Sequence, residues 1–356
     1  PSSSGRCCLE NAMTLNRDQN KSRWHSLTLT LAAVIFHSAD CPARDAAEDA
    51  NLVRLTVKIT NGTTNGKPVL ADKVTLTMYQ HERLVDTLNA EVGPQGAADF
   101  EAIRAGEHMV AVATVFHQGM SFSSGDIPLL PGRKQVTANV TVFDVSYDIS
   151  RLSVATHHLI IKPRNADILL TEFIQLLNPS DMAITSDRKD AQGKAIVLSM
   201  LLPAGFENFN ASGFLVPQAL VFTPDGFYDT MGIPPGNHQI IFSYTLAIDA
   251  RAMDITRTLS LPTANFVLFW QPGHGKIGGL GDADGKMVMT DGTMGEYYNL
   301  GSLQPGAEVR FQISGLRTAV SDKTPWIILA AVFAAIAVLV FVRLRLTKSR
   351  SPERNS

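Results

Sequence analysis

Five aromatic side chains are the residues of this sequence best placed to hold a ligand. They lie among Gly, Pro and Asn residues, between segments that alternate like β-strands. Aromatic loops at one end of a β-sandwich can bind a glycan or a protein partner, although such residues also close the end of a sandwich core. We interpret these residues as closing the end of the sandwich core, with a ligand loop as the alternative; they are Phe206, Phe209, Phe214, Phe227 and Tyr228.

The segment that follows residue 270 contains two further motifs that resemble ligand-binding sequences. Residues 273–278 read Gly-His-Gly-Lys-Ile-Gly and match the letters of a dinucleotide fingerprint. The glycines that follow are poor starters for the helix that such a fingerprint needs. Asp282, Asp284 and Asp291 offer oxygen ligands to calcium, but the loop that ends in a bidentate glutamate is absent. We therefore interpret this segment as a loop with solvated turns.

Soft metal ligands occur in the same segment. Met287, Met289 and Met294, near His274, have the ligand chemistry of an extracytoplasmic copper site. Met287 and Met289 would also share one face of a strand, which equally suits a hydrophobic core. Metal handling is therefore the weakest of the functional hypotheses, and no metal ligand is assigned.

Motifs of known enzyme classes are absent from the sequence. No histidine is followed three residues later by glutamate, and no His-Glu-x-x-His, Gly-x-Ser-x-Gly, Cys-x-x-Cys-His or phosphate-binding loop occurs. His157 and His158 are adjacent, so on a strand they point to opposite faces and cannot share one ion. We interpret them as strand-edge residues, and we predict a protein that is not an enzyme and has no cofactor.

The charge balance and the cysteines exclude two further classes. The 31 Lys and Arg residues nearly cancel 33 Asp and Glu residues, which leaves no basic field for nucleic acid. The three cysteines, Cys7, Cys8 and Cys41, all precede the strand-like segments, so these segments contain no disulfide framework. The stability of the folded part must come from packing.

The N-terminal segment has the pattern of an export signal. Basic residues follow Met13, and then comes the apolar run 27–36, which is shorter than the roughly 20 residues that a membrane-spanning helix needs. We predict a signal peptide over residues 13–47. Residues 1–12 lack an initiating methionine and are interpreted as upstream read-through.

The C-terminal segment has the pattern of a membrane anchor. It is uncharged from Trp326 to residue 342, and Arg343 and Arg345 follow directly. Its length suits the hydrocarbon core, with Trp326 at the outer interface and the arginines on the cytoplasmic side. We predict a single transmembrane helix at 325–346, in contact with the lipid bilayer, and a basic cytoplasmic tail at 347–356.

Between these ends the apolar residues recur at every second position. Leu55, Val57 and Ile59 alternate with polar residues, and clusters of Gly, Pro and Asn separate such runs at short intervals. This pattern is typical of half-buried strands in small antiparallel sandwiches. The predicted fold is all-β, with two tandem antiparallel β-sandwich domains at 52–147 and 156–318 plus the C-terminal transmembrane α-helix.

The first of these domains has a distinctive succession of strands and turns, which runs through residues 57–63, 67–76, 96–100, 106–113 and 140–144. This succession resembles the carboxypeptidase regulatory-like, transthyretin-like β-sandwich, of a superfamily that includes starch-binding-like domains. The resemblance implies a module without a peptidase, and sugar binding as a property of the superfamily.

Together these features predict a bacterial envelope protein. The order of regulatory-like module, second sandwich and terminal helix resembles bacterial membrane-anchored proteins. We expect a non-catalytic, single-pass protein of the cytoplasmic membrane, with its modules outside and its C-terminus in the cytoplasm. The modules would present a surface to an envelope protein partner. The alternatives are binding of a cell-envelope glycan and, more weakly, periplasmic metal handling.

Overall fold

The computed structural model describes residues 51–316 except 272, 274 and 290, together with residues 332–334 and 336. The predicted signal peptide, the upstream segment, the cytoplasmic tail and the anchor residues Trp326, Arg343 and Arg345 lie outside this described part. Residues 332–334 and 336 of the predicted anchor are helical. In the described part of the chain, no helix has the length and apolarity to cross a membrane.

The described chain is almost entirely β-structure, as the period-two pattern predicts. In the first strand, Leu55 and Val57 are fully buried while Arg54 and Lys58 are exposed. The strands of this first module are β1 Leu52–Asn61, β2 Lys73–Gln80, β3 Arg83–Glu91, β4 Ala97–Arg104, β5 Met109–His117, β6 Met120–Ser123, β7 Ile127–Pro128 and β8 Gln135–Val142, followed by the linking strand β9 Val145–Ser146.

Two sheets of the first module enclose its hydrophobic core. One sheet has the strand order β4-β1-β8, and the other has the order β3-β2-β5-β6, with β7 also paired to β5. The expectation of purely antiparallel sheets is wrong at one place, because β1 and β8 run parallel in register from Arg54 with Gln135 to Asn61 with Val142. A parallel pair requires a long crossover, which the intervening strands of the second sheet supply.

The second module is built from longer strands. A 3-10 helix at Ile149–Arg151 precedes it and another lies at Pro217–Ala219. Its strands are β10 Ser153–Pro163, β11 Asp167–Asn178, β12 Ala183–Ile184, β13 Leu198–Leu201, β14 Phe206–Gly213, β15 Leu220–Thr223, β16 Gly226–Asp229, β17 Gly236–Ala247, β18 Ala252–Thr258, β19 Thr263–Trp270, β20 Lys276–Gly278, β21 Gly285–Val288, β22 Met294–Leu303 and β23 Glu308–Ser314.

A seven-stranded sheet dominates this module, in the order β14-β17-β11-β10-β19-β22-β21. Two small sheets, β13-β16-β15 and β18-β23-β20, contribute buried residues such as Phe227 and Phe311 to the same core. Here too one central pair, β10 with β19, is parallel. The core residues come from one face of each long strand, so the opposite face of the large sheet points away from the core.

Candidate interaction surface

The large sheet carries apolar side chains on the face that points away from the core. On β11 the core positions alternate with outward positions, and Phe173 is outward. The register places Phe173 between His158 of β10 and Ile241 of β17. His158 is in turn opposite Val267 of β19. One row across four neighbouring strands therefore consists of large, mostly apolar side chains.

The adjacent row extends this apolar area. Ile160 of β10 is opposite Phe269 of β19, and Phe269 is opposite Tyr297 of β22. The rings of Phe269 and Tyr297 are 6.4 Å apart between centroids, and those of His158 and Phe269 are 5.1 Å apart and nearly perpendicular. We call the whole set the outer patch, formed by His158, Ile160, Phe173, Ile241, Val267, Phe269 and Tyr297.

The outer patch is uncharged and remains partly open to solvent. Two shallow clefts of about 450 Å³ each lie on it and share His158 and Phe173. Burial lowers the pKa of His158, so its imidazole is neutral at physiological pH. The ion pair between Lys162 Nζ and Asp291 Oδ2, 3.0 Å long, lies between exposed groups of β10 and the loop after β21. The centre of this sheet face thus offers apolar surface without a charge to desolvate.

Directly behind the patch, the same strands carry a buried polar network. Glu172 precedes Phe173 and therefore points into the core, where it is fully buried. Arg257 of β18 donates from Nη2 to Glu172 Oε2 at 2.8 Å and from Nε to Oε1 at 2.9 Å. Tyr244 Oη donates to Oε1 at 3.0 Å, and His157 Nε2 lies 2.7 Å from Oε2. Three side chains from three other strands therefore meet at one carboxylate.

The partners of the Glu172 carboxylate stabilise its negative charge in the core. Burial alone raises the pKa of Glu172, but the charge of Arg257 and hydrogen bonds from His157 and Arg257 lower it to about 2. Burial lowers the pKa of His157, against the opposing effect of Glu172. Arg257 also donates from Nη1 to the carbonyl oxygens of Leu201 and Thr258. The network therefore ties β18 and β13 to the inner face of the large sheet.

The five aromatic residues predicted as a ligand loop lie on or next to strands. Phe227 is 2% exposed, and its ring lies 4.9 Å from that of Phe209. Phe206 is 6.3 Å from Tyr244 between centroids. These contacts match the interpretation of core closure, because half-buried rings pack against the core from the edge strand β14. Ligand binding by these residues stays a prediction.

The other two aromatic residues of this set contact different side chains. Phe214 follows β14 directly, and its ring lies 4.4 Å from that of His238. Tyr228 of β16 donates from its hydroxyl to Asp190 Oδ2 at 2.9 Å. The five residues are therefore spread along the core edge instead of converging in one loop.

The candidate carboxylate ligands do not form a metal site within the described residues. No group of three His, Cys, Asp or Glu side chains in that part of the chain is arranged to hold a metal ion. Asp284 Oδ2 accepts from Asn299 N at 2.7 Å, and Asp291 bonds within its own turn, to Thr293. His274, the predicted partner of the methionines, lies outside the described residues.

The adjacent histidines point in opposite directions, as their spacing predicts. His157 and His158 lie on opposite faces of β10, the first in the buried network and the second in the outer patch. Their interpretation as strand-edge residues is wrong, because β10 lies between β11 and β19 in the interior of the large sheet. Interior placement explains why even the outward histidine is half-buried.

Glu172 and Arg257 are not among the functional residues predicted from the sequence. The alternation of inward and outward positions along their strands nevertheless marks both residues as unusual. Glu172 stands between the core positions Leu170 and Ile174 of β11, and Arg257 stands between Ile255 and Leu259 on the inward side of β18 and its extension. A charged residue at an inward position predicts a buried partner of opposite charge. The sequence does not say which residue that partner is.

Comparisons with known proteins leave the family of this chain open. No family model matches the sequence, and no curated protein matches it. Among solved structures, an M1 zinc metallopeptidase of Deinococcus radiodurans is similar at TM-score 0.29 and 12% identity over 46% of this chain and 42% of that one. The match thus spans less than half of the peptidase chain.

Two further solved structures are similar over larger shares of their own length. The major pilin SpaD of Corynebacterium diphtheriae matches at TM-score 0.22 and 10% identity, over 73% of this chain and 86% of the pilin. A DUF3823 family protein of Parabacteroides merdae matches at TM-score 0.19 and 15% identity, over 58% of this chain and 90% of that protein. Likenesses of this size do not define a family.

Proposed function

We propose that this chain is a non-catalytic envelope protein that binds a protein partner through the outer patch of its second module. The two modules would be exported by the N-terminal signal and held at the bacterial cytoplasmic membrane by the C-terminal helix. In this arrangement the modules act as an interaction scaffold outside the cytoplasm, and the lipid bilayer is the second contact of the chain.

The observation that carries this proposal is the apolar character of a sheet face that does not belong to the core. A sheet with one solvated face ordinarily alternates apolar residues inward and polar residues outward. Here Ile160, Phe173 and Phe269 occupy outward positions at the centre of the sheet. Contiguous exposed apolar patches on soluble modules mark interaction sites. The aliphatic side chains between the rings favour a protein partner.

Glycan binding by the same face is the second candidate. One of the clefts on the outer patch combines His158 and Phe173 with the amide side chains of Gln175 and Gln239. A sugar ring could stack on the aromatic ring while the amides bond its hydroxyl groups. This alternative uses only the amide-rich half of the patch, so it predicts little role for Phe269.

Affinity purification of the full chain in mild detergent, with mass spectrometry of co-purifying proteins, tests the proposal. A stoichiometric partner should be lost from the Phe173→Ser and Phe269→Ser variants. It should be kept by Leu84→Ser, which removes an apolar side chain that is 64% exposed on β3 of the first module. A partner retained equally by all three variants would exclude the outer patch as its site. Binding of glycan fragments that depends on Phe173 but not on Phe269 would support the second candidate.

A further inference from the structure

A second surface, independent of the outer patch, lies between the two modules. A cleft of about 710 Å³ is bounded on one side by β6 and the turn before it. On the other side it is bounded by residues of the second module between 216 and 219 and between 230 and 232, and by Lys189 and Lys194. Clefts of this size between domains are common ligand sites.

The modules are in direct contact at the base of this cleft. Met120 of β6 packs against Gly232, where any side chain would overlap the methionine. Nearby, β9 pairs in parallel with β12, and Ala183 of β12 is buried in the core of the first module. The cleft walls therefore have a fixed relation to each other, which a recognition site requires.

One wall of the cleft is the edge of a sheet. The strand β6 pairs only with β5, and among the described strands none forms a ladder with its outer edge. Gln118 and Gly119 form the hairpin turn, with φ values of 45° and 87°, so His117 and Met120 are the closing hydrogen-bonded pair. The bonds recur at every second pair, as the bond from Ser124 N to Ala113 O at 2.8 Å confirms.

It follows that two residues of β6 turn their backbone groups outward. Ser121 and Ser123 are opposite Phe116 and Thr114 in the non-bonded pairs, so their N–H and C=O groups point away from β5. Both serines line the cleft and both are exposed. Such an edge is a template for the addition of another strand.

The other wall is cationic. Among the described residues, the cleft lining includes Lys189 and Lys194 but no Asp or Glu. Both lysines belong to a hairpin held by Asp190, whose Oδ1 accepts from the backbone N of Gln192 at 2.9 Å and of Lys194 at 2.8 Å. Tyr228 donates to the other carboxylate oxygen. Asp190 also lies close enough to Lys194 for their charges to interact, and both lysines line the cleft.

We propose that this cleft binds an extended acidic peptide segment of a partner protein. The segment would add to β6 as a strand, with main-chain hydrogen bonds to Ser121 and Ser123. Its carboxylates would face Lys189 and Lys194. An open strand edge recognises a peptide backbone and not a sugar, which is why the geometry favours a peptide over an anionic glycan.

Fluorescence anisotropy with the full chain in mild detergent tests whether the cleft binds an acidic peptide. The probe is a labelled, end-capped peptide of alternating Asp and Val. We expect binding that weakens about tenfold in the Lys189→Glu/Lys194→Glu variant, since charge reversal turns attraction into repulsion. Lys58→Glu is the matched control, because Lys58 is exposed on β1 and does not line the cleft.

The backbone bonds are tested separately. Ser121→Pro removes one outward N–H and should weaken binding about fivefold or more, whereas Ser121→Ala keeps that N–H and should bind like the natural chain. The same peptide N-methylated at two successive central amides, which blocks both of its edges, tests the bonds without changing the protein, and it should not bind.

Equal binding by the methylated peptide, or by the lysine variant, would overturn the proposal. Binding of a galacturonate oligomer in place of the peptide would also overturn it, in favour of a glycan site. Loss of the co-purifying partner in the outer-patch variants does not bear on this cleft, so the two proposals can fail separately.

Discussion

Arg257 and Glu172, 85 residues apart in the chain, form an ion pair of 2.8 Å between Nη2 and Oε2 in which both side chains are essentially inaccessible to water. The pair connects β18 of a small sheet to the centre of the large one. Because two further hydrogen-bonding side chains, His157 and Tyr244, complete the coordination of the carboxylate, none of its charge is left unpaired. The second module therefore depends on a polar contact inside an otherwise apolar core.

Neutralising Glu172 should be strongly destabilising. Glu172→Gln leaves Arg257 buried without a counter-charge, and removal of one partner of a buried pair costs about 3–5 kcal/mol of unfolding free energy. Urea denaturation followed by circular dichroism measures it. Glu308→Gln, which removes one side of the exposed pair with Arg310, should change the unfolding free energy by less than about 1 kcal/mol. Equal effects of the two substitutions would contradict the structural role of the buried pair.

Replacing both partners at once should be milder than losing one. The Glu172→Leu/Arg257→Met variant removes both charges, so neither is left buried without a counter-charge. We therefore expect a smaller loss of unfolding free energy than in Glu172→Gln. A double-mutant cycle built from both single variants and the double variant measures the coupling. Additive effects would show that the two side chains act independently.

The stability of the second module should fall on acidification. The pKa of His157 is lowered by burial, so the folded state binds fewer protons than the unfolded state below the ordinary value of 6.5. His158 acts in the same direction, and Glu172, with a pKa of about 2 against 4.5, adds a further loss below pH 4.5. The contribution of these three groups to the unfolding free energy should therefore decrease as pH falls below 6.5. In urea titrations at several pH values, His157→Gln should flatten the slope between pH 6.5 and 5, and an unchanged slope would contradict this role of His157.

Asp229 should have the opposite pH dependence. Burial raises its pKa from 3.8 to about 6, and within the described residues its buried Oδ2 has no hydrogen-bond partner. A raised carboxyl pKa stabilises the folded state at low pH, and this contribution is lost as pH rises through 6. Asp229→Asn should therefore be more stable than the natural chain at pH 7.5 by about 3 kcal/mol, with the difference disappearing near pH 4. A constant difference at both pH values would contradict the titration of Asp229.

The outer patch should be dispensable for folding. Phe173→Ser and Phe269→Ser change side chains on the face away from the core, so we expect each to lower the unfolding free energy by less than about 2 kcal/mol. Phe242→Ser, in the core behind the same sheet, should cost about 3–5 kcal/mol. Thermal denaturation of the three variants shows how much the outer face and the core face of the sheet each contribute to stability. Comparable losses at Phe173 and Phe242 would mean that the patch is covered within the folded chain.

Local patterns determined the class of fold and the direction of individual side chains. Period-two alternation indicated strands because successive side chains on a strand point to opposite faces, and it separated His157 from His158 correctly. The same local logic predicted an all-β chain. The signal at 13–47 and the anchor at 325–346 stay predictions, since they lie largely outside the described residues.

Strand pairing was decided by the tertiary structure alone. Alternation tells which residues share a face, but it does not tell which strands lie side by side, because pairing joins segments far apart in the chain. Hence the parallel pairs, the partnership of Glu172 with Arg257, and the outer patch could not be derived from sequence patterns. A strand buried at the centre of a sheet and one at its edge can have the same alternation, and only the neighbours on either side make Phe173 part of a continuous surface.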